Sequence, residues 1–292
     1  MPHVSSAAVT HTGLRREGNE DAFRERPDLG LYLVADGMGG HEAGEVASRL
    51  AVEAIEAFIA DTRDADLNQT WPFPYDLTKS LHANRLIAAF RLANRRVAAA
   101  ISSDPALKSM ATTVAAVLLD PKGHAHIAHV GDSRVYQWRD GILRQLTDDH
   151  SWVGEQVRAG TLTTDDAQRH PWRNVVTRAI SGADDPEVDV LEVGVLPGDR
   201  LLVCSDGLSS VVTRETIDHL MGPQDLRTSG LQDLRTSGLQ DLRTSGLQDP
   251  RTSGPQDLQR AAQALVDAAN AAGGPDNITV ILLEIGGPAD VG

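Results

Sequence analysis

The stretch Leu31-Tyr-Leu-Val-Ala-Asp-Gly-Met-Gly-Gly-His-Glu-Ala-Gly-Glu45 decides how the rest of the chain is read. Leu31 to Ala35 are apolar or aromatic without interruption, the pattern of a strand buried on both faces. The strand meets a carboxylate, Asp36, and then Gly37, Gly39 and Gly40, where the backbone can turn without a side chain in the way. Residues 43–60 follow, with Ala47, Leu50, Ala51, Ala54, Ile55, Phe58 and Ile59 at the 3.6-residue period of an amphipathic helix. Glu42 and Glu45 favour its N-terminus electrostatically. A carboxylate at the mouth of a buried strand, ahead of a helix, suits a hard cation or a phosphate.

An Asp-Gly pair at a strand end is by itself an ordinary turn, so recurrence carries the argument. Leu201-Leu-Val-Cys-Ser-Asp-Gly-Leu208 is again an apolar strand ending in Asp-Gly. Gly273-Gly-Pro-Asp-Asn-Ile-Thr-Val-Ile-Leu-Leu283 sets Asp276 at the start of a strand, and Ile127-Ala-His-Val-Gly-Asp-Ser-Arg134 sets Asp132 in a turn between apolar segments. Aspartates gathered from strand ends onto one edge of a core repel one another unless a cation sits between them.

The remaining sequence bounds the class. The chain has 292 residues, 41% of them hydrophobic, enough for one large domain or two small ones. A net charge of −14 argues against a nucleic-acid binder. The one cysteine, Cys204, excludes an intrachain disulfide and a cysteine zinc site, and its apolar neighbours mark it as a buried thiol. Met1 to Arg16 lacks the apolar core of a signal peptide, and no run reaches the length of a membrane span, so the expected compartment is the cytoplasm.

In order, the pattern predicts a strand at 4–12, a polar turn at 14–21, the strand at 31–35, the helix at 43–60, an aromatic-bearing connection at 61–77 and a second helix at 79–102. Strands follow at 112–119, 124–130, 133–139 and 142–146, with hairpin turns at Pro121-Lys-Gly123 and Asp140-Gly141. Residues 147–182 form an irregular, charged excursion with short helical patterns near 151–159 and 164–169; its acids Asp148, Asp149, Asp165 and Asp166 read as solvated. Strands at 188–193 and 200–204, helices near 214–220 and 257–271, and a last strand at 277–285 complete the chain. Between those helices, Gln-Asp-Leu-Arg-Thr-Ser-Gly-Leu begins at Gln224, Gln232 and Gln240, and a fourth copy from Gln248 carries Pro250 and Pro255 in place of leucine. A period of eight fits neither a helix face nor a strand face, so 224–255 reads as a flexible insert expanded by duplication. Grouped strands and grouped helices point to antiparallel sheets in an α+β fold, and no Gly-x-Gly-x-x-Gly or P-loop is present.

Six segments now stand out: Arg16-Glu-Gly-Asn-Glu-Asp21, Val34-Ala-Asp-Gly-Met-Gly-Gly-His41, Ala111-Thr-Thr113, Val130-Gly-Asp-Ser-Arg134, Cys204-Ser-Asp-Gly207 and Gly274-Pro-Asp-Asn277. In that order, and over essentially the whole chain outside the octapeptide insert, they resemble the metal-dependent serine/threonine protein phosphatases of type 2C in their bacterial form. The resemblance implies one phosphatase domain over 1–292, built as two stacked antiparallel β-sheets flanked by α-helices, a four-layer α-β-β-α sandwich. It implies a binuclear Mg²⁺ or Mn²⁺ centre, with a third, weaker ion. By motif match Asp36 bridges the two metals, the Gly37 carbonyl binds one, Asp206 and Asp276 complete the other, Glu20 and Asp21 act through water, and Asp132 binds the third ion. Arg16 matches the phosphate-binding arginine, and 147–182 matches the flap beside the substrate groove.

The implied activity is hydrolysis of phosphoserine and phosphothreonine through a metal-activated water, opposing a bacterial Ser/Thr kinase, by a monomer with no nucleic-acid or membrane partner. The residues agree with that chemistry on their own terms: an all-oxygen donor set favours Mg²⁺ or Mn²⁺, and an arginine can grip a phosphate dianion bidentately. There are departures from the family pattern. Met38 stands where some members carry a histidine assigned as leaving-group acid, His41 lies nearby, and Ala111 stands where glycine is common. A catalytically silent phosphoprotein-binding adaptor is the alternative from another class. Loss of Asp36, Asp206 or Asp276 would favour it, and all three are present.

Overall fold

The apolar run at Leu31 becomes the spine of one of two sheets. In the computed structural model, which describes residues 3–40, 42–64, 72–222 and 255–287, it forms β3 (Leu31–Met38), and Leu31 to Ala35 are all fully buried. The first sheet has the order β2 (Asp21–Arg26), β3, β4 (Ala111–Leu119), β5 (His124–Val130) and β8 (Asp189–Gly194). The second runs β1 (Val4–His11), β10 (Ile278–Ile285), β9 (Arg200–Cys204), β6 (Arg134–Arg139) and β7 (Ile142–Gln145). Every neighbouring pair is antiparallel.

Three apolar layers explain why the central strands have no polar face. Leu31, Leu33 and Ala35 pack against Ile55 of helix α1 (Glu42–Asp61) and against Leu86 and Phe90 of α2 (Leu81–Ser103). The alternate residues Tyr32 and Val34 point the other way, into a layer between the sheets with Ile127, Val203, Ile281 and Leu283. On the far side, Leu202, Val280 and Leu282 meet Ile217 of α6 (Arg214–Met221) and Leu258 and Leu265 of α7 (Pro255–Ala271). This is the α-β-β-α sandwich expected from the sequence. Each large side chain withdrawn from water in these layers contributes about 1.5–3 kcal/mol.

Register fixes which strand ends meet. Asp21 lies opposite Asp36, Asp36 opposite Thr113, and Val114 opposite Val130. In the second sheet Cys204 lies opposite both Val280 and Arg134. The end of β3, the start of β4, the end of β5, the end of β9 and the start of β10 therefore gather on one side, joined by the short Gly131–Ser133 link from β5 to β6.

Element bounds mostly match the sequence pattern to within two residues, and two differences have physical causes. Strand β2 was not expected, because Arg24, Glu25 and Arg26 break any apolar alternation. It is an edge strand whose arginines are anchored on Glu56 of α1, at 2.6 Å from Arg24 Nε and 2.5 Å from Arg26 Nη1, and charge on an edge opposes strand addition by another chain. Asp149, expected to be solvated, is instead held by a bidentate pair with Arg134 at 2.8 and 2.5 Å. The Asp140-Gly141 hairpin forms as expected, with both residues at positive φ, 50° and 80°. Cys204 is buried. Within the excursion 147–182, α3 (Trp152–Arg158) and α4 (Thr164–Arg169) form, and the bridges Ser151↔Val176 and Thr112↔Ile180 pin its base. Among the described residues no helix is long and apolar enough to cross a membrane. Residues 224–254 of the octapeptide insert and His41 lie outside the described residues.

Candidate metal centre

The gathered strand ends bring the sequence-predicted acids together. Asp36 lies two residues before the end of β3, and Asp21 opens β2 directly across from it. Asp206 begins the short helix α5 (Asp206–Ser209) immediately after β9, and Asp276 sits two residues before β10. Asp132, 9% exposed, occupies the β5–β6 link.

Loop 12–20 is folded over this edge by one side chain. Asn277, 4% exposed, donates through Nδ2 to the carbonyls of Thr12 (2.9 Å) and Gly18 (2.8 Å) and accepts from Glu20 N–H at 2.8 Å. That fold delivers Arg16, whose Nη2 reaches Asp276 Oδ2 at 2.7 Å while half of its side chain stays exposed. The Glu20 carbonyl then accepts from Gly37 N–H at 3.2 Å and from Ser48 Oγ at 2.6 Å, clamping loop, strand and α1 together. Both Asp-Gly glycines are required by close backbone approach. A Cβ at Gly37 would lie 2.2 Å from the Gly44 carbonyl oxygen, and one at Gly207 would lie 1.9 Å from the Asn277 carbonyl oxygen.

The electrostatics are those of a cation site. Burial first, and then Asp21, Asp206, Asp132 and Asp276, raise the Asp36 carboxyl well above the usual carboxylate range. Asp21 is pushed up to about 7 by burial, against hydrogen bonds from Thr279 and Ser205 and with the repulsion of Asp206 and Asp276. Asp132 also rises to about 7, through burial and the charges of Asp206 and Asp149. Asp206 is raised by burial and by Asp276. Two unit charges about 5 Å apart repel by roughly 3 kcal/mol at an effective dielectric near 20, so several ionised neighbours cannot coexist without compensation. Asp21 Oδ1 and Asp206 Oδ1 are buried with no hydrogen-bond partner among the described residues. Orphaned carboxylate oxygens in an all-oxygen cluster fit hard divalent cations of the Mg²⁺ and Mn²⁺ kind.

Three hydroxyl residues of the six sequence segments organise this edge, although their residue type alone does not announce the role. Ser205 Oγ donates to Asp21 Oδ2 at 2.8 Å while accepting from Thr279 N–H at 2.9 Å, tying β2 to the second sheet. Thr113 and Ser133 share a 2.7 Å hydroxyl contact. A groove of about 680 Å³ runs from Asp132 and Asp206 between α6 and the 147–182 excursion, lined by Arg134, Arg158, Arg173 and Arg214.

Comparison with known proteins accounts for this arrangement. Residues 13–242 match the family model described as protein phosphatase 2C. The chain belongs to the protein phosphatase 2C family. Two relatives illustrate the similarity. The serine/threonine protein phosphatase PstP of Mycobacterium tuberculosis is 34% identical over 96% of this chain; the chain spans only 44% of that protein's length. The serine/threonine phosphatase Stp of Listeria monocytogenes is 32% identical, with 94% of this chain and 93% of Stp covered. A crystal structure of the M. tuberculosis phosphatase covers 97% of this chain and 99% of its own at 33% identity and a TM-score of 0.74. A structure of the PstP catalytic domain in complex with two manganese ions covers 97% of this chain and 98% of its own at 30% identity and a TM-score of 0.71. The four-layer sandwich is thus the fold shared with bacterial phosphatases of type 2C.

Proposed function

We propose that this chain is a protein serine/threonine phosphatase that hydrolyses phosphoserine and phosphothreonine at a centre holding two Mn²⁺ or Mg²⁺ ions. The observation that carries the reading is the convergence of buried aspartates with orphaned oxygens at Asp21 and Asp206, beside the half-exposed Arg16. Asp36, Asp206 and Asp276 would hold the ions directly, with the Gly37 carbonyl; Glu20 and Asp21 would act through water, and Asp132 would hold a third ion. When bound, such ions activate water at neutral pH and offset phosphate charge. Arg16 orients the substrate. Its guanidinium, fixed on one side by Asp276, turns its remaining donors to the non-bridging phosphate oxygens. The arginine-lined groove beside Asp132 and Asp206 receives the substrate polypeptide, with 147–182 as its flap. The substrates are proteins phosphorylated by a Ser/Thr kinase.

The test is to incubate a phosphothreonine protein with the chain and Mn²⁺ and follow phosphate by mass spectrometry. Loss of phosphate with wild type, and its persistence with Asp276→Asn, is the expected pair. A stable complex with the phosphate intact would instead establish the adaptor.

A further inference from the structure

A second cluster of metal-ligating side chains lies at the opposite end of the first sheet. Asp120 follows β4, seven residues along from Thr113, so it sits roughly 23 Å from the aspartate edge at about 3.3 Å per strand residue. His124 and His126 alternate on β5 and share a face, while His82 comes from the first turn of α2. Asp120 Oδ2 lies between two imidazoles, 3.1 Å from His126 Nε2 and 3.4 Å from His124 Nδ1. The His82 ring stands 4.7 Å from that of His126. His82, Asp120 and His126 each offer a ligand atom, and these atoms lie within 4.8 Å of one another.

The partners of His126 allow its Nε2 to face a cation. The ring is 2% exposed, with Asp120 at 3.1 Å on Nε2 and, on Nδ1, Glu192 at 3.2 Å and the Ser80 hydroxyl at 3.3 Å. A neutral imidazole has one N–H, so one of those carboxylates faces a lone pair. With the N–H on Nδ1, toward Glu192 and Ser80, the Nε2 lone pair points at Asp120 Oδ2, and a metal ion held by both atoms joins them. Burial, with His126 and Arg85 nearby, pushes His82 down to about 4, so its ring is neutral at neutral pH. Arg85 Nη1 contacts His82 Nδ1 at 3.2 Å, while its Nη2 and Nε are held separately by Ile59 O at 2.6 Å and Thr62 Oγ1 at 3.1 Å, so the guanidinium stays in place when the His82 ring turns toward an ion. His124 and Glu192, with side chains 40% and 44% exposed, leave a path for entry.

We propose that His82, Asp120 and His126, with His124 at the rim, form a site for a borderline transition ion such as Zn²⁺, distinct from the aspartate centre. Imidazole donors select Zn²⁺, Co²⁺ or Ni²⁺ over Mg²⁺, the reverse of the all-oxygen site. Ligand atoms sharing a tetrahedral zinc lie roughly 3.3 Å apart, so the Asp120 contacts already have the spacing and a small rotation of His82 completes it. The ion would pin the start of α2 to the β4–β5 turn, making this end of the fold sensitive to transition-metal supply.

The experiment uses the full chain without an affinity tag, with excess Mg²⁺ to occupy oxygen sites, titrated with Co²⁺ and then Zn²⁺. The expected result is one Co²⁺ per chain with visible ligand-field bands, displaced by Zn²⁺, and a higher Tm with Zn²⁺. His82→Ala and His82→Ala/His124→Ala, which alter only partly exposed rings, should each weaken Co²⁺ binding at least about tenfold, since losing a direct ligand exceeds the effect of an outer partner. Asp206→Asn should bind Co²⁺ as wild type does. Absence of the bands, or equal affinity in wild type and both histidine variants, overturns the site.

Discussion

Asp206 is the residue where the account is most exposed. Its Oδ1 is buried with no hydrogen-bond partner among the described residues, and burial and Asp276 raise its carboxyl. Asp206→Asn should lower metal-dependent turnover at least about 100-fold, because a direct ligand counts for more than the 10–100-fold typical of outer-shell partners. The same variant, measured in chelator, should melt no lower than wild type, since it removes a charge that its neighbours oppose. Wild-type turnover in this variant would remove Asp206 from the centre. Arg16→Ala should reduce kcat/KM on a phosphopeptide by about tenfold; a hydrogen bond to a charged group contributes about 1.5–3 kcal/mol, and half exposure places Arg16 at the lower end. The cluster also sets a pH dependence. Asp21 and Asp132 have folded-state values of about 7 against an ordinary 3.8. A carboxyl with a raised value contributes stability below pH about 4 and loses it as pH rises towards 7, because the unfolded chain releases its proton more readily. The Tm of chelated protein should therefore fall relative to the Mg²⁺-loaded protein as pH rises from about 4 to 7, and a constant gap would contradict the cluster. At this scale the aspartates were legible because each follows or precedes an apolar strand. Ser205, Thr113 and Asn277 were not legible as organisers, because their roles exist only when residues up to 265 positions apart meet.

The strand-to-turn elements that carry these acids are held by backbone contact. Gly207→Ala would drive a methyl to 1.9 Å from the Asn277 carbonyl oxygen, and that neighbour is backbone and cannot swing aside. Overpacking of this kind costs about 1–3 kcal/mol. A Tm lower by several degrees, together with weaker Mn²⁺ binding by calorimetry, is the expected pair; an unchanged Tm would mean that β9 and β10 are less closely joined than described. Most strands and helices were readable from period and turn chemistry, since burial on both faces leaves long apolar runs. Strand β2 was not, because its pairing with β3 and the hold of Glu56 on Arg24 and Arg26 exist only in the folded chain. The pairing of Asp149 with Arg134 was hidden for the same reason: both are charged, and only the fold makes them neighbours.

For the whole molecule, three apolar layers between four layers of secondary structure bring strand ends of both sheets to one edge. The α+β class followed from the grouping of strands and helices. The strand order could not be read this way, since β1 pairs with β10 from the other end of the chain. None of the converging residues falls within 224–255, so replacing that segment with a short Gly-Ser linker should leave kcat on para-nitrophenyl phosphate within about twofold, an effect below 0.5 kcal/mol. A larger loss would give the repeat a part in the active fold. The central claim, that the buried aspartates hold the ions for phosphoester hydrolysis, is tested most directly by phosphate release from a phosphothreonine peptide with Mn²⁺, with Mg²⁺ and with chelator. Release that requires the added ion and stops with chelator is the predicted result. Equal release with chelator, or none with either ion from folded protein, would contradict it.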